Sequence, residues 1–169
     1  DMLNFAKAVT NGVIPLGGVV CSDRIYDAMM GAHGSAPDHA IEFFHGYTYS
    51  GHPVACAAGL ATLELLKRDH LIEQSAALAP IFEDKLHSLK GSKHVVDIRN
   101  CGLAGSLQIT PRDGDPVIRP FEAGIKLWNA GFYVRFGGDT LQFGPTFNTT
   151  PEQLDSVFNA VGDVLNNLD

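Results

Sequence analysis

Asp1-Met2-Leu3-Asn4-Phe5-Ala6-Lys7-Ala8-Val9-Thr10-Asn11-Gly12 opens the chain, and Leu16-Gly17-Gly18-Val19-Val20-Cys21 follows it. Asn11-Gly12 is a turn signal. The run 16–21 reads as a short buried strand, and Ser22 or Asp23 caps a helix that continues to about Met30. A lone lysine is most often a solvated surface charge. Here its neighbours are apolar or small, which points to an enclosed side chain, and the turn and Gly-rich strand beside it look like the edge of a site. An amine nucleophile must shed its proton. Free lysine titrates near ~10.4, so a reactive Lys7 needs burial or a nearby cation. Spacing alone leaves both readings of Lys7 open.

Farther along, His45-Gly46-Tyr47-Thr48-Tyr49-Ser50-Gly51-His52-Pro53 is rich in hydroxyls and aromatic rings and runs straight into a helix over 53–68. Pro53 falls in the first turn, where a missing N–H costs nothing. Helix starts suit anions, but helix capping by Ser50 or a neighbour would explain the run as well. The body Ala55-Cys56-Ala57-Ala58-Gly59-Leu60-Ala61 is unusually small, which predicts a buried helix. The stretch 31–39 reads as a loop. A second helix covers 71–90, with Leu71, Leu78, Phe82, Leu86 and Leu89 in helical spacing.

The last part alternates between strands and helices. Strands are expected over 95–99 and 103–109, and a polar loop over 111–116. A helix follows over 119–130, with Phe121, Ile125 and Trp128 on one face and Gly131 ending it. Strands over 132–136 and 140–143 are joined by Gly137-Gly138-Asp139. In the first of these, Arg135 and Tyr133 share a face opposite Phe132, Val134 and Phe136. Arg135 is either an exposed arginine, free or paired with Asp139, or a clamp that meets a carboxylate with two parallel hydrogen bonds. Thr150-Pro151-Glu152-Gln153 is a capping box, and Leu154, Val157, Phe158, Val161, Leu165 and Leu168 trace one face of the helix after it.

The 169 residues suffice for one compact domain or pieces of two. Hydrophobic residues make up 45% and charged residues 18%, a globular balance. A net charge of -7 without a Lys/Arg cluster argues against nucleic acid as a partner. No apolar run approaches the ~18 residues of a membrane span. Cys21, Cys56 and Cys101 form no CxxC pair, and no HExxH motif occurs, so neither a disulfide framework nor a metal site is expected. A reducing cytoplasm is the default location. The chain starts at Asp1, not Met, within a few residues of the candidate lysine, and reads as a partial sequence.

Lys7, Thr48 and Arg135 occur in an order that resembles the class III pyridoxal-phosphate-dependent aminotransferases. That family has an Asp opening a segment that ends in Lys-x-x-x-(small)-Gly, matched by Asp1, Lys7, Asn11 and Gly12 and followed by Pro15-Leu16-Gly17-Gly18. The resemblance covers essentially the whole chain. It is closest to the β-alanine (ω-amino acid)–pyruvate branch, through Arg112-Asp113-Gly114-Asp115 and the run from Arg135 to Phe147. It implies an α/β chain of PLP-dependent transferase fold type I: residues 1–68 the end of the large cofactor-binding domain with a connecting helix, residues 69–169 the α+β small domain. It also implies pyridoxal 5'-phosphate as cofactor, Lys7 as the Schiff-base lysine, and Thr48 and Tyr47 at the cofactor, Thr48 on its phosphate in a neighbouring subunit. Arg135 would hold the substrate carboxylate. The partners implied are a small-molecule amino donor, a keto acid acceptor and further copies of the chain in a dimer or tetramer. The family's ring-nitrogen aspartate lies upstream of its lysine, so the chain alone is expected to be inactive. The alternatives are another class III transaminase, an aminomutase, or a non-catalytic fragment of such an enzyme.

Overall fold

The computed structural model describes residues 1–31 and 45–169. The chain divides into two compact units, Asp1–Asp69 and His70–Asp169.

In the first unit, strand β1 (Met2–Ala6) pairs antiparallel with β2 (Gly17–Cys21), with Phe5 opposite Gly18 and Ala6 opposite Gly17. Gly18 is needed for close approach: a Cβ there would lie 2.5 Å from the Phe5 ring. A 3-10 turn, Lys7–Thr10, follows β1. Helix α1 spans Asp23–Gly31 and α2 spans Pro53–Arg68. The sequence reading found β2, α1 and α2 but not β1. Most of the loop read at 31–39 lies outside the described residues, and Gly31 belongs to α1.

Burial in this unit corrects the sequence reading. β2, expected buried, is mostly exposed. In α2 only Ala55 and Gly59 are buried, whereas Leu60 and Leu63 are 63% and 58% exposed. Small side chains let a backbone come close, but the one that does so is the stretch after Lys7, and it covers a single stripe. A Cβ on Gly59 would lie 3.2 Å from Leu16 and 3.7 Å from the Val9 carbonyl. Nor is α1 capped by Ser22 through its side chain. Its carbonyl accepts from Ile25 and Tyr26, while its hydroxyl is buried without a hydrogen bond among the described residues.

The second unit is a four-stranded antiparallel sheet, ordered β3-β4-β6-β5, packed with three helices. The strands are β3 (Val95–Cys101), β4 (Ala104–Ile109), β5 (Arg135–Gly137) and β6 (Thr140–Phe143). The helices are α3 (Leu71–His87), α4 (Ile118–Asn129) and α5 (Pro151–Asn166). α3 buries Leu78, Phe82 and Leu86, and α5 buries Leu154, Phe158, Val161 and Leu165, the periodic positions of the sequence. Phe158 joins the layers, with its ring centroid 5.7 Å from Phe82 and 5.2 Å from Phe143. β4 comes so close to α3 that a Cβ on Gly105 would meet Phe82 and Leu86 at 2.7 Å.

Two sequence expectations shift here. The strand expected over 132–136 begins only at Arg135. The Phe132 N–H is spent on the Leu127 carbonyl in the last turns of α4, yet Phe132 still packs inward with Val134. The large apolar face of α4 noted in the sequence is the open one. Phe121, Ile125 and Trp128 are exposed, and Arg119, Pro120, Ala123, Gly124 and Leu127 turn inward. Gly124 accounts for this: the Phe136 ring lies 2.4 Å from where its Cβ would be.

Candidate active site

Lys7 opens the 3-10 turn with its backbone in the left-handed region, at φ 57. For a residue with a Cβ that conformation costs roughly 1–2 kcal/mol, and such outliers gather where a side chain must be aimed. Asn11 at φ 50 and Gly12 at φ 78 complete the reversal, as residue types suited to positive φ. The Asn11 N–H donates to the Ala8 carbonyl at 3.0 Å and the Val13 N–H to the Thr10 carbonyl at 3.2 Å. Thr10 is 1% exposed and donates its hydroxyl to the Ile14 carbonyl at 2.6 Å. β1 therefore delivers Lys7 to a tight, internally bonded loop that lies against α2.

Lys7 lines a cleft of about 960 Å³ with Ala6, Gly17, Tyr47, Tyr49 and His52, among others. That volume suits a small-molecule ligand. The wall from Tyr47 to His52 is a turn leading into α2. The Ser50 hydroxyl accepts from the Tyr47 N–H at 2.9 Å, which folds the turn, and His52 Nδ1 accepts from the Ala55 N–H at 3.4 Å. His52, not Ser50, therefore caps α2. Because Nδ1 accepts, the ring holds its proton on Nε2 when neutral.

Lys7 and Tyr47 thus share one cleft. The Lys7 side chain is exposed, not enclosed as the sequence suggested, since the loop's packing against α2 covers Thr10 and leaves residues 1–8 open. Thr48 is exposed and sits between two wall residues, but it is not in the wall of the Lys7 cleft. Arg135 belongs to the second unit, at the start of β5, exposed and opposite Gln142 in register. It makes no ion pair among the described residues. Asp139, its suggested partner, accepts instead from Gln108 Nε2 at 2.7 Å. A guanidinium without an internal partner is available to an incoming carboxylate.

Sequence reasoning missed Thr10 and His52, because a hydroxyl and an imidazole among turn residues carry no spacing signal. It also missed Arg119, 9% exposed, which donates to the Asp169 and Pro111 carbonyls at 3.0 Å each. Arg112, in the motif 112–115, forms a two-bonded pair with Glu122 at 2.9 and 2.8 Å, and this hydrogen-bonded carboxylate holds its guanidinium above its usual range. Among the described residues no group of His, Cys, Asp and Glu is arranged to hold a metal ion, and no helix is long and apolar enough to cross a membrane.

Would an aromatic aldehyde phosphate fit here? The cleft offers one primary amine, ring faces at Tyr47 and Tyr49, and hydroxyls near the start of a 16-residue helix. These are the donors such a group requires.

Comparison with known proteins agrees. Residues 1–165 match the family Aminotransferase class-III. The chain is 66% identical to Beta-alanine--pyruvate aminotransferase of Pseudomonas aeruginosa and 61% identical to Omega-amino acid--pyruvate aminotransferase of Pseudomonas putida. Each match covers 99% of this chain and 37% of the relative, so the chain spans little more than a third of their length. A PMP-bound aminotransferase from Vibrio fluvialis superposes with a TM-score of 0.84 at 27% identity, over 99% of this chain and 37% of that one. The architecture is the α/β, PLP-dependent transferase fold type I that the sequence resemblance implied. The chain belongs to the class III aminotransferases.

Proposed function

We propose that this chain works as the carboxy-terminal part of a pyridoxal 5'-phosphate-dependent transaminase that moves an amino group from an ω-amino acid such as β-alanine to pyruvate. The observation that carries the reading is Lys7, aimed by a left-handed backbone and lining a cleft with Tyr47, in a chain 66% identical to a β-alanine–pyruvate aminotransferase. Residues 1–68 would then close a large cofactor-binding domain, and residues 69–169 would be the small domain.

Pyridoxal 5'-phosphate, when bound, supplies the electron sink for the reaction. The chain's own residues do the rest. Lys7 Nζ is the point of covalent attachment. As a free amine, Lys7 Nζ would take a proton from the donor's amino-bearing carbon as general base and later give it up as general acid. Tyr47 and Thr48 hold the cofactor, Thr48 by its hydroxyl on the phosphate of a neighbouring protomer's site, so the working form is a homodimer or a larger homo-oligomer in the cytoplasm. Arg135 Nη1 and Nη2 clamp the carboxylate of β-alanine or pyruvate. The 169-residue chain alone has no turnover on this reading.

Borohydride reduction of the full-length, cofactor-loaded enzyme followed by peptide mapping tests it. The expected product is one reduced adduct, on Lys7. An adduct on another lysine, or none, refutes the assignment.

A further inference from the structure

We infer that Thr10 is a positioning residue for Lys7, acting through its buried hydroxyl. The inference rests on the function proposed above for Lys7. Thr10 is 1% exposed, and its hydroxyl donates at 2.6 Å to the Ile14 carbonyl. That bond closes the loop 10–14 across Asn11 and Gly12, both at positive φ. Each arm of the closed loop abuts α2 at Gly59, one through the Val9 carbonyl and the other through Leu16. Lys7 begins the same 3-10 turn that Thr10 ends, and Lys7 is the residue left at φ 57.

A left-handed, Cβ-bearing residue relaxes unless its surroundings fix it. Around Lys7 those surroundings are thin, because β1 and the Lys7 side chain are exposed. The fixed end of the turn is Thr10. Removing its hydroxyl leaves the Ile14 carbonyl without its partner and frees the loop from its closure, so the turn can rotate and Nζ leaves the direction in which the cleft lies. A side chain of the same shape without the hydroxyl would keep the packing and lose the aim.

The test compares Thr10→Val and Thr10→Ser in the full-length enzyme. Two quantities are read beside thermal stability: the dissociation constant for pyridoxal 5'-phosphate by absorbance titration, and the separate kcat and KM for pyruvate. Thr10→Val is expected to weaken pyridoxal phosphate binding about tenfold and lower kcat about tenfold, with KM within twofold of the parent. Thr10→Ser should restore both to within threefold. A Thr10→Val enzyme that melts earlier but, while folded, binds the cofactor and turns over like the parent would overturn the inference, since Thr10 would then only stabilise. Should Thr10→Val fail to fold, Thr10→Cys replaces it and is judged by the same two outcomes. If borohydride leaves no adduct on Lys7 in the parent itself, the proposed function falls first and this inference with it. An adduct in the parent with unaltered variants sinks the inference alone.

Discussion

Lys7 and Arg135 carry different parts of the proposed chemistry, and substitutions separate them. Lys7→Arg keeps the positive charge but removes an amine that can add to an aldehyde. It should leave no borohydride adduct and cut turnover by roughly 10²–10⁴, the usual contribution of a positioned proton carrier; a stopped assay with β-alanine and pyruvate reads the loss. Arg135→Ala removes hydrogen bonds to a charged group. About 1.5–3 kcal/mol, or roughly 10- to 150-fold in kcat/KM, should be lost for pyruvate. An acceptor aldehyde without a carboxylate should lose far less, and equal losses would count against the clamp. Both residues are candidates in the sequence through the order in which they occur with Thr48 and Gly12. What was not legible is what aims them. Lys7 at φ 57 and the Thr10 bond come from closure of a loop against α2, and nothing in residue type marks a lysine as left-handed.

The elements were more readable wherever local chemistry dictates them. α5 shows this: the Thr150 hydroxyl accepts from the Gln153 N–H at 3.3 Å, and the Gln153 side chain accepts from the Thr150 N–H at 2.9 Å, as the capping box required. Thr150→Ala should cost about 1 kcal/mol, read as a lower denaturation midpoint at unchanged slope. Glu152, in the first turn, has its carboxyl held below the usual range by hydrogen bonding to backbone N–H and then to Thr150. A folded-state value below the unfolded one means its contribution is present above the unfolded carboxylate range and is lost as pH falls through the folded value. Acidification should therefore lower the melting temperature of the parent more than that of Glu152→Gln, and parallel curves would argue against it. The packed face of α4 went unread because it is chosen by small residues, a weaker pattern than the large apolar ones on the open face. β1 went unread because its five residues are all exposed, so no alternation marks it. Gly105, under Phe82 and Leu86, lies between these cases: its need is invisible in sequence, yet Gly105→Ala should cost about 1–3 kcal/mol through overpacking, seen in the same denaturation experiment.

Across the chain the two units differ in how they could be stable. Every member of the buried apolar cluster lies between Leu78 and Leu168. In Asp1–Asp69, Ala55 is the one buried apolar side chain among the described residues other than glycine, while Met2, Leu3 and Leu60 are each more than 60% exposed. Ordering a residue costs about 1–2 kcal/mol of backbone entropy, and burial of one alanine does not offset that over such a unit. The second unit has the burial to do so. Local stability follows burial, so hydrogen exchange on the 169-residue chain should show two classes. Amides of α3, β4 and α5 should be protected to the level of global unfolding, and those of β1, β2 and α2 should exchange at least tenfold faster. On the function proposed above, the rest of a longer polypeptide covers the open apolar side chains of α2 and β1. In the full-length enzyme the same amides should then rise to the protection of the second unit, whereas the Leu107 and Phe158 amides change little. If β1 and α2 stay fast-exchanging in the full-length protein, Lys7 sits on a frame too mobile to hold a reacting amine in place, and the case for it as the catalytic lysine loses its physical basis.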